Sequence, residues 1–185
     1  MKRLVLSLFF LIAMLIAVPA GYGQTASTAD DAGRVKTRDQ LKALLEKAGP
    51  GINVAFRQSD KQPFNMVGVL KTGLNNADYY EIVIGVTAEQ TIGFRIYPHY
   101  QGAYINLDKV RNGNALMRQL MVLNDKNFLY WGGDSTGDVF SAYTFTLESG
   151  FPDAAINIVL RSIPLLDKYV GQMRPNIDGS ADPGK

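Results

Sequence analysis

Apolar residues recur along this chain with two different periods, and the switches between them mark out its elements. Leu41, Leu44, Leu45 and Ala48 fall at i, i+3, i+4 and i+7, which is one stripe of an α-helix. Thr37, followed three residues later by Gln40, fits a capping box at its start, and Gly49 with Pro50 stops it. Beyond Asp78 the period falls to two. Ile82, Ile84 and Val86 alternate with Glu81, Val83 and Gly85, and Ile92, Phe94 and Ile96 alternate with Gly93, Arg95 and Tyr97. Both apolar sets must face one core, so the parity of their pairing is set, because a slip of one residue would turn each set into water. A loop of Ala88, Glu89 and Gln90 then places Val86 opposite Ile92, Ile84 opposite Phe94 and Ile82 opposite Ile96. A slip of two would keep the faces and change only the pairs. Residues 64–73 supply an earlier strand of weaker alternation, and 52–56 another.

The helical period returns between about Gly113 and Leu123, where Asn112 or Asn114 caps and Leu116, Met117, Leu120, Met121 and Leu123 form the buried side, the methionines filling gaps. Two antiparallel strands follow in 127–133 and 138–149, the second alternating Val139, Tyr143, Phe145 and Leu147 against Phe140, Ala142, Thr144 and Thr146. A last helix begins after Pro152 and carries Ile156, Val159, Leu160, Ile163, Leu166 and Val170 as its stripe to about Gly171. Pro164 stands inside it, so the helix is kinked there or begins afresh. The order α-β-β-β-α-β-β-α predicts an α+β fold, an antiparallel sheet with helices on one face.

The N-terminus changes the picture. Lys2 and Arg3 precede an almost unbroken apolar run of fifteen residues, Leu4 to Val18, and then small residues. That is the layout of a secretory signal peptide, and the run is short for a bilayer-spanning helix, which takes roughly 20 residues. A cleaved signal over 1–23 is expected, with an N-terminal membrane anchor as the alternative. Val18 and Ala20 suit the cleavage site, as do Gly21 and Gly23. No cysteine occurs, so neither a lipid-anchoring thiol nor a disulfide framework is available. Without residues 1–23 the chain carries 17 basic and 17 acidic residues, and no basic stripe points to nucleic acid or an anionic membrane. Residues 24–36 and 173–185 are small, polar and aperiodic. They read as a flexible linker and a disordered tail around one domain at 37–172.

Few residues invite a chemical role. Gly133, Ser135 and Gly137 spell G-x-S-x-G, but a nucleophile elbow needs a helix after the serine and a histidine later in the chain. Here a strand follows, and the sole histidine, His99, comes earlier. Ser135 is read as a turn residue among glycines and aspartates. Asp134 and Asp138 lack the further oxygen ligands and the closing glutamate of a calcium loop. His99 has too few companions for zinc and is read as a surface histidine near Tyr79 and Glu81. No catalytic residue, metal or cofactor is proposed.

The helix ending at Asn124, the Gly/Asp turn at 132–138, the long strand after it and the closing helix from "FPDAAINIVLRSIPLLDKYV" resemble the YbjN family of proposed bacterial sensory transduction regulators. The resemblance covers about residues 37–171 and implies a fold like the type III secretion chaperones. It also implies a non-enzymatic module that binds a protein partner or a second copy of itself. Apolar residues opposite the expected core, Phe128, Tyr130 and Phe140 on the hairpin and Ile158, Leu165 and Tyr169 on the closing helix, are the candidate interface. Export would place such a module in the periplasm or outside the cell, away from a cytoplasmic secretion chaperone's task. The alternative is a periplasmic carrier of a small apolar ligand or lipid, held in a cleft between sheet and helices.

Overall fold

The computed structural model describes residues 28–184. The expected signal segment and the first residues of the linker lie outside them. Helix α1 runs Thr28–Ala48 and passes into a 3-10 turn at Gly49–Ile52. Strands β1 (Arg57–Gln58), β2 (Asn65–Leu70), β3 (Tyr79–Val86), β4 (Thr91–Tyr100) and β5 (Ala103–Tyr104) precede α2 (Gly113–Lys126). Then come β6 (Tyr130–Gly133), β7 (Val139–Thr146), α3 (Asp153–Ser162), a 3-10 turn at Pro164–Leu166 and α4 (Asp167–Ile177). All strand pairs are antiparallel, in the order β1-β2-β3-β4-β7-β6, with β5 paired to the end of β4. The chain is α+β, with its helices on one face of that sheet.

The central hairpin has the parity that alternation demands and the register of the three-residue loop: Val86 pairs with Ile92, Ile84 with Phe94 and Ile82 with Ile96. Those six side chains are buried, together with Leu41 and Leu45 of α1, Leu116 and Leu120 of α2, Ile156 and Leu160 of α3, and Val170 of α4. The hairpin loop closes with the Thr87 N–H donating to the Thr91 carbonyl at 3.0 Å, and Gln90 takes the left-handed conformation at φ 53°. Pro164 starts the helix afresh: α3 ends at Ser162 and a 3-10 turn bends the chain into α4.

Several expectations are corrected. Residues 28–36 are helical, not a linker, and Thr37 lies buried inside α1 instead of capping it. These first turns have no apolar stripe to reveal them. They are held by Arg34, whose Nε donates to the Val86 carbonyl at 2.9 Å and whose guanidinium lies 3.7 Å from the Phe64 ring centre. Residues 52–56 do not form a strand: Ile52 belongs to a 3-10 turn and Asn53 is left-handed at φ 56°. Their alternation reflects packing, since a Cβ on Gly68 would stand 2.5 Å from Val54 Cγ1. Residues 173–177 are helical, not tail, and Met173 is buried in the core. Met121 is 68% exposed, and Met117 is exposed beside it. Leu116, Leu120 and Leu123 make a sufficient stripe without them.

Two polar side chains join layers. The Asp167 carboxylate, buried at the start of α4, accepts backbone N–H bonds from Asn75 (2.7 Å), Asn76 (3.1 Å) and Ala77 (2.8 Å), tying down the loop between β2 and β3. Near the end of α2, the Asn124 carboxamide accepts from the Trp131 N–H at 2.5 Å and donates to the Trp131 carbonyl at 3.0 Å. It thereby occupies outward-facing groups of the edge strand β6, which would otherwise be open to another chain.

Candidate protein-docking surface

Three of the six candidate interface residues meet at one corner. Phe128, Leu165 and Tyr169 line a cavity of about 130 Å³, floored by Leu129 and Leu166. Phe128 and Leu165 are each placed by a local stop signal. Past the end of α2, the Asn127 amide donates to the Leu123 carbonyl at 2.7 Å, and its side-chain oxygen accepts the Tyr169 hydroxyl. That turn throws Phe128 outward, 54% exposed, with its ring edge-to-face on Tyr143 at 5.9 Å. The 3-10 turn forced by Pro164 sends Leu166 into the core and leaves Leu165 64% exposed. Tyr169 rests edge-on against Trp131 at 6.3 Å. The volume is close to the roughly 150 Å³ that accepts a benzene-sized group, so the corner fits one apolar side chain.

The other three residues lie elsewhere. Ile158 is exposed on α3 but does not line the cavity. Tyr130 and Phe140 are on the sheet face opposite the helices. Tyr130 is exposed there, whereas Phe140 is only 7% exposed and offers no docking surface. It lies under the Arg95 guanidinium, 4.8 Å from its ring centre, and against the rings of Tyr97 and Tyr130 at 5.7 and 6.5 Å. Period two correctly sends it to the outer face. The neighbours that cover it come from β4 and β6, which a strand's own pattern does not show.

His99 is also not at the surface. It is 5% exposed, stacked on Tyr79 at 3.9 Å and tilted on Tyr104 at 4.1 Å. Neither ring nitrogen has a hydrogen-bond partner among the described residues, and Nε2 stands 3.7 Å from the Glu81 carboxylate. Burial pulls its pKa below the ordinary histidine value, against the opposing charges of Glu81, Asp78 and Asp138. The Tyr104 hydroxyl, which donates to Glu81 at 2.7 Å, is pushed well up by burial and by that bond. Ser135 sits in the β6–β7 turn, where the Asp134 carboxylate accepts from the N–H groups of Thr136 (2.9 Å) and Asp138 (3.1 Å). Among the described residues no three His, Cys, Asp or Glu side chains gather as metal ligands would.

No family model matches the sequence, and no curated protein matches it. Two solved structures have a related arrangement of elements. One is YbjN from E. coli, described as a candidate transcription regulator: 13% identical, TM-score 0.47, covering 72% of this chain and 86% of that one. The other is the ExsC–ExsE complex: 18% identical, TM-score 0.42, covering 78% of this chain and 98% of the matched one. At that level the likeness carries no argument about function, and the α+β assignment rests on the sheet and helices themselves.

Proposed function

We propose that the chain is an exported, non-enzymatic binding module of the YbjN type, with a protein partner or a second copy of itself. The observation that carries this reading is the corner where Phe128 and Leu165 stand exposed around a cavity sized for one apolar side chain. Buried anchors in such pockets dominate the energetics of protein interfaces. Export rests on the layout of residues 1–23, and membership of the YbjN family on the pattern from α2 through the closing helices.

A photoreactive residue at Leu165, introduced in cells and followed by mass spectrometry, tests the reading. A discrete adduct with one foreign protein or with the chain itself is expected. Leu165→Glu should remove the association without lowering Tm, because that side chain is 64% exposed. Absence of any adduct, or unfolding of the variant, would overturn the reading. N-terminal sequencing of the protein from the periplasmic fraction should find a chain starting after residue 20 or 23, and an intact Met1 would overturn cleavage.

A further inference from the structure

The helical layer holds a second concavity, away from the Phe128 corner. Between α1 and α3 runs a groove of about 760 Å³. Its walls are one face of each helix, Gln40, Leu44 and Lys47 on α1 and Asp153, Asn157 and Arg161 on α3, each set recurring a turn apart. From Asp153 to Arg161 the groove is roughly 12 Å long at the helical rise. Its floor is apolar. Leu41 and Leu45 turn fully into the core, while Leu44 on the flank of the same stripe is left half-buried, over Ile52 and Leu160. Phe151, just before α3 begins, also lines it.

The charges are arranged unevenly. Lys47 on one wall and Arg161 on the other are exposed, and neither forms a salt bridge among the described residues. The one acid of the lining, Asp153, stands in the first turn of α3, where the helix's free N–H groups already favour a negative charge. A groove with polar walls, a narrow apolar strip at its base and an unpaired cation on each wall is complementary to a slender tail that ends in an anion.

From this we infer that the α1–α3 groove binds a single-chain anionic amphiphile, its tail along Leu44, Ile52 and Leu160 and its headgroup held by Lys47 and Arg161. The cleft expected between sheet and helices is filled by the core, and this groove between two helices takes its place. The inference stands apart from the docking corner and does not depend on it.

The test is a titration of the exported chain with decanoate, decanol and decyltrimethylammonium, followed through backbone amide shifts by NMR. Decanoate should shift the amides of Leu44, Ile52 and Leu160 and bind about tenfold tighter than the other two, the scale of one charge-assisted contact. Lys47→Glu combined with Arg161→Glu should remove that preference with Tm unchanged, since both side chains are exposed. Acetate should leave the groove's amides unmoved. Equal binding of decanoate and decanol, retained affinity in the charge-reversed variant, or shifts confined to the Phe128–Leu165 corner would each overturn the inference. Crosslinking at Leu165 is unaffected by any of these results, so the two readings fail separately.

Discussion

His99 is the only histidine in the chain, and its ring is closed between Tyr79 and Tyr104 with no hydrogen-bond partner among the described residues. Burial favours its neutral form, so the unfolded chain takes up a proton near the ordinary ~6.5 while the folded chain resists until lower pH. Stability from this group is therefore full above about 6.5 and falls as the pH drops below it. Thermal melts from about pH 7.5 to about pH 5.5 should show Tm decreasing, and His99→Phe should flatten the slope, since no other side chain has an ordinary pKa in that window. An unchanged slope would show that the imidazole titrates freely. Two glycines make a second comparison. A Cβ on Gly93 would meet only Thr144 Oγ1 at 4.0 Å, whereas one on Gly68 would come 2.5 Å from Val54 Cγ1. Glycine weakens a strand interior, so Gly93→Val should raise stability by about 1 kcal/mol. Gly68→Ala should lower it, and chemical denaturation of both variants checks the contrast. Period two shows that both positions are in strands. It does not show which of them has a neighbour overhead.

At the scale of elements, the ends were harder to read than the elements themselves. The stripe Leu41, Leu44, Leu45, Ala48 announces a helix, but the nine residues before Thr37 are helical only because Arg34 finds the Val86 carbonyl and the Phe64 ring. Those partners lie far along the chain, so no local pattern encodes them. The break at Pro164 was legible, because a proline cannot continue the ladder. A fresh start was one of the two outcomes it allowed, but where the new helix begins was not legible: α4 starts on Asp167, whose carboxylate takes three backbone N–H groups from the β2–β3 loop. Asp167→Ala would leave the Ala77 N–H buried without a partner and release those of Asn75 and Asn76, and should cost about 3 kcal/mol, with Asp167→Asn costing less because one acceptor oxygen remains. Urea denaturation measures both, and equal stabilities would mean the loop finds water instead. Asn124 plays a comparable part for the edge strand β6, where one side-chain amide pairs with both backbone groups of Trp131.

On the scale of the whole molecule, the sheet is completed by a pairing that skips over an intervening helix: β7 lies between β4 and β6, with Phe94 opposite Tyr143 and Ile96 opposite Ser141. That insertion puts the outer side of β7 beside β4 and so covers Phe140, removing it from the candidate interface. The bend at Pro164 does the reverse for Leu165, bringing it to Phe128 around one cavity. By itself the sequence determined the class of fold, the central hairpin and the parity of its register, the turn that holds Ser135 and the position of the helix break. Each is dictated by a period, a proline or a glycine acting over a few residues. Only the tertiary structure decided which apolar residues stay exposed, how α1 begins, what encloses His99 and where a groove opens between α1 and α3. Those depend on which element lies against which, and burial is a property of the pair, not of either sequence alone.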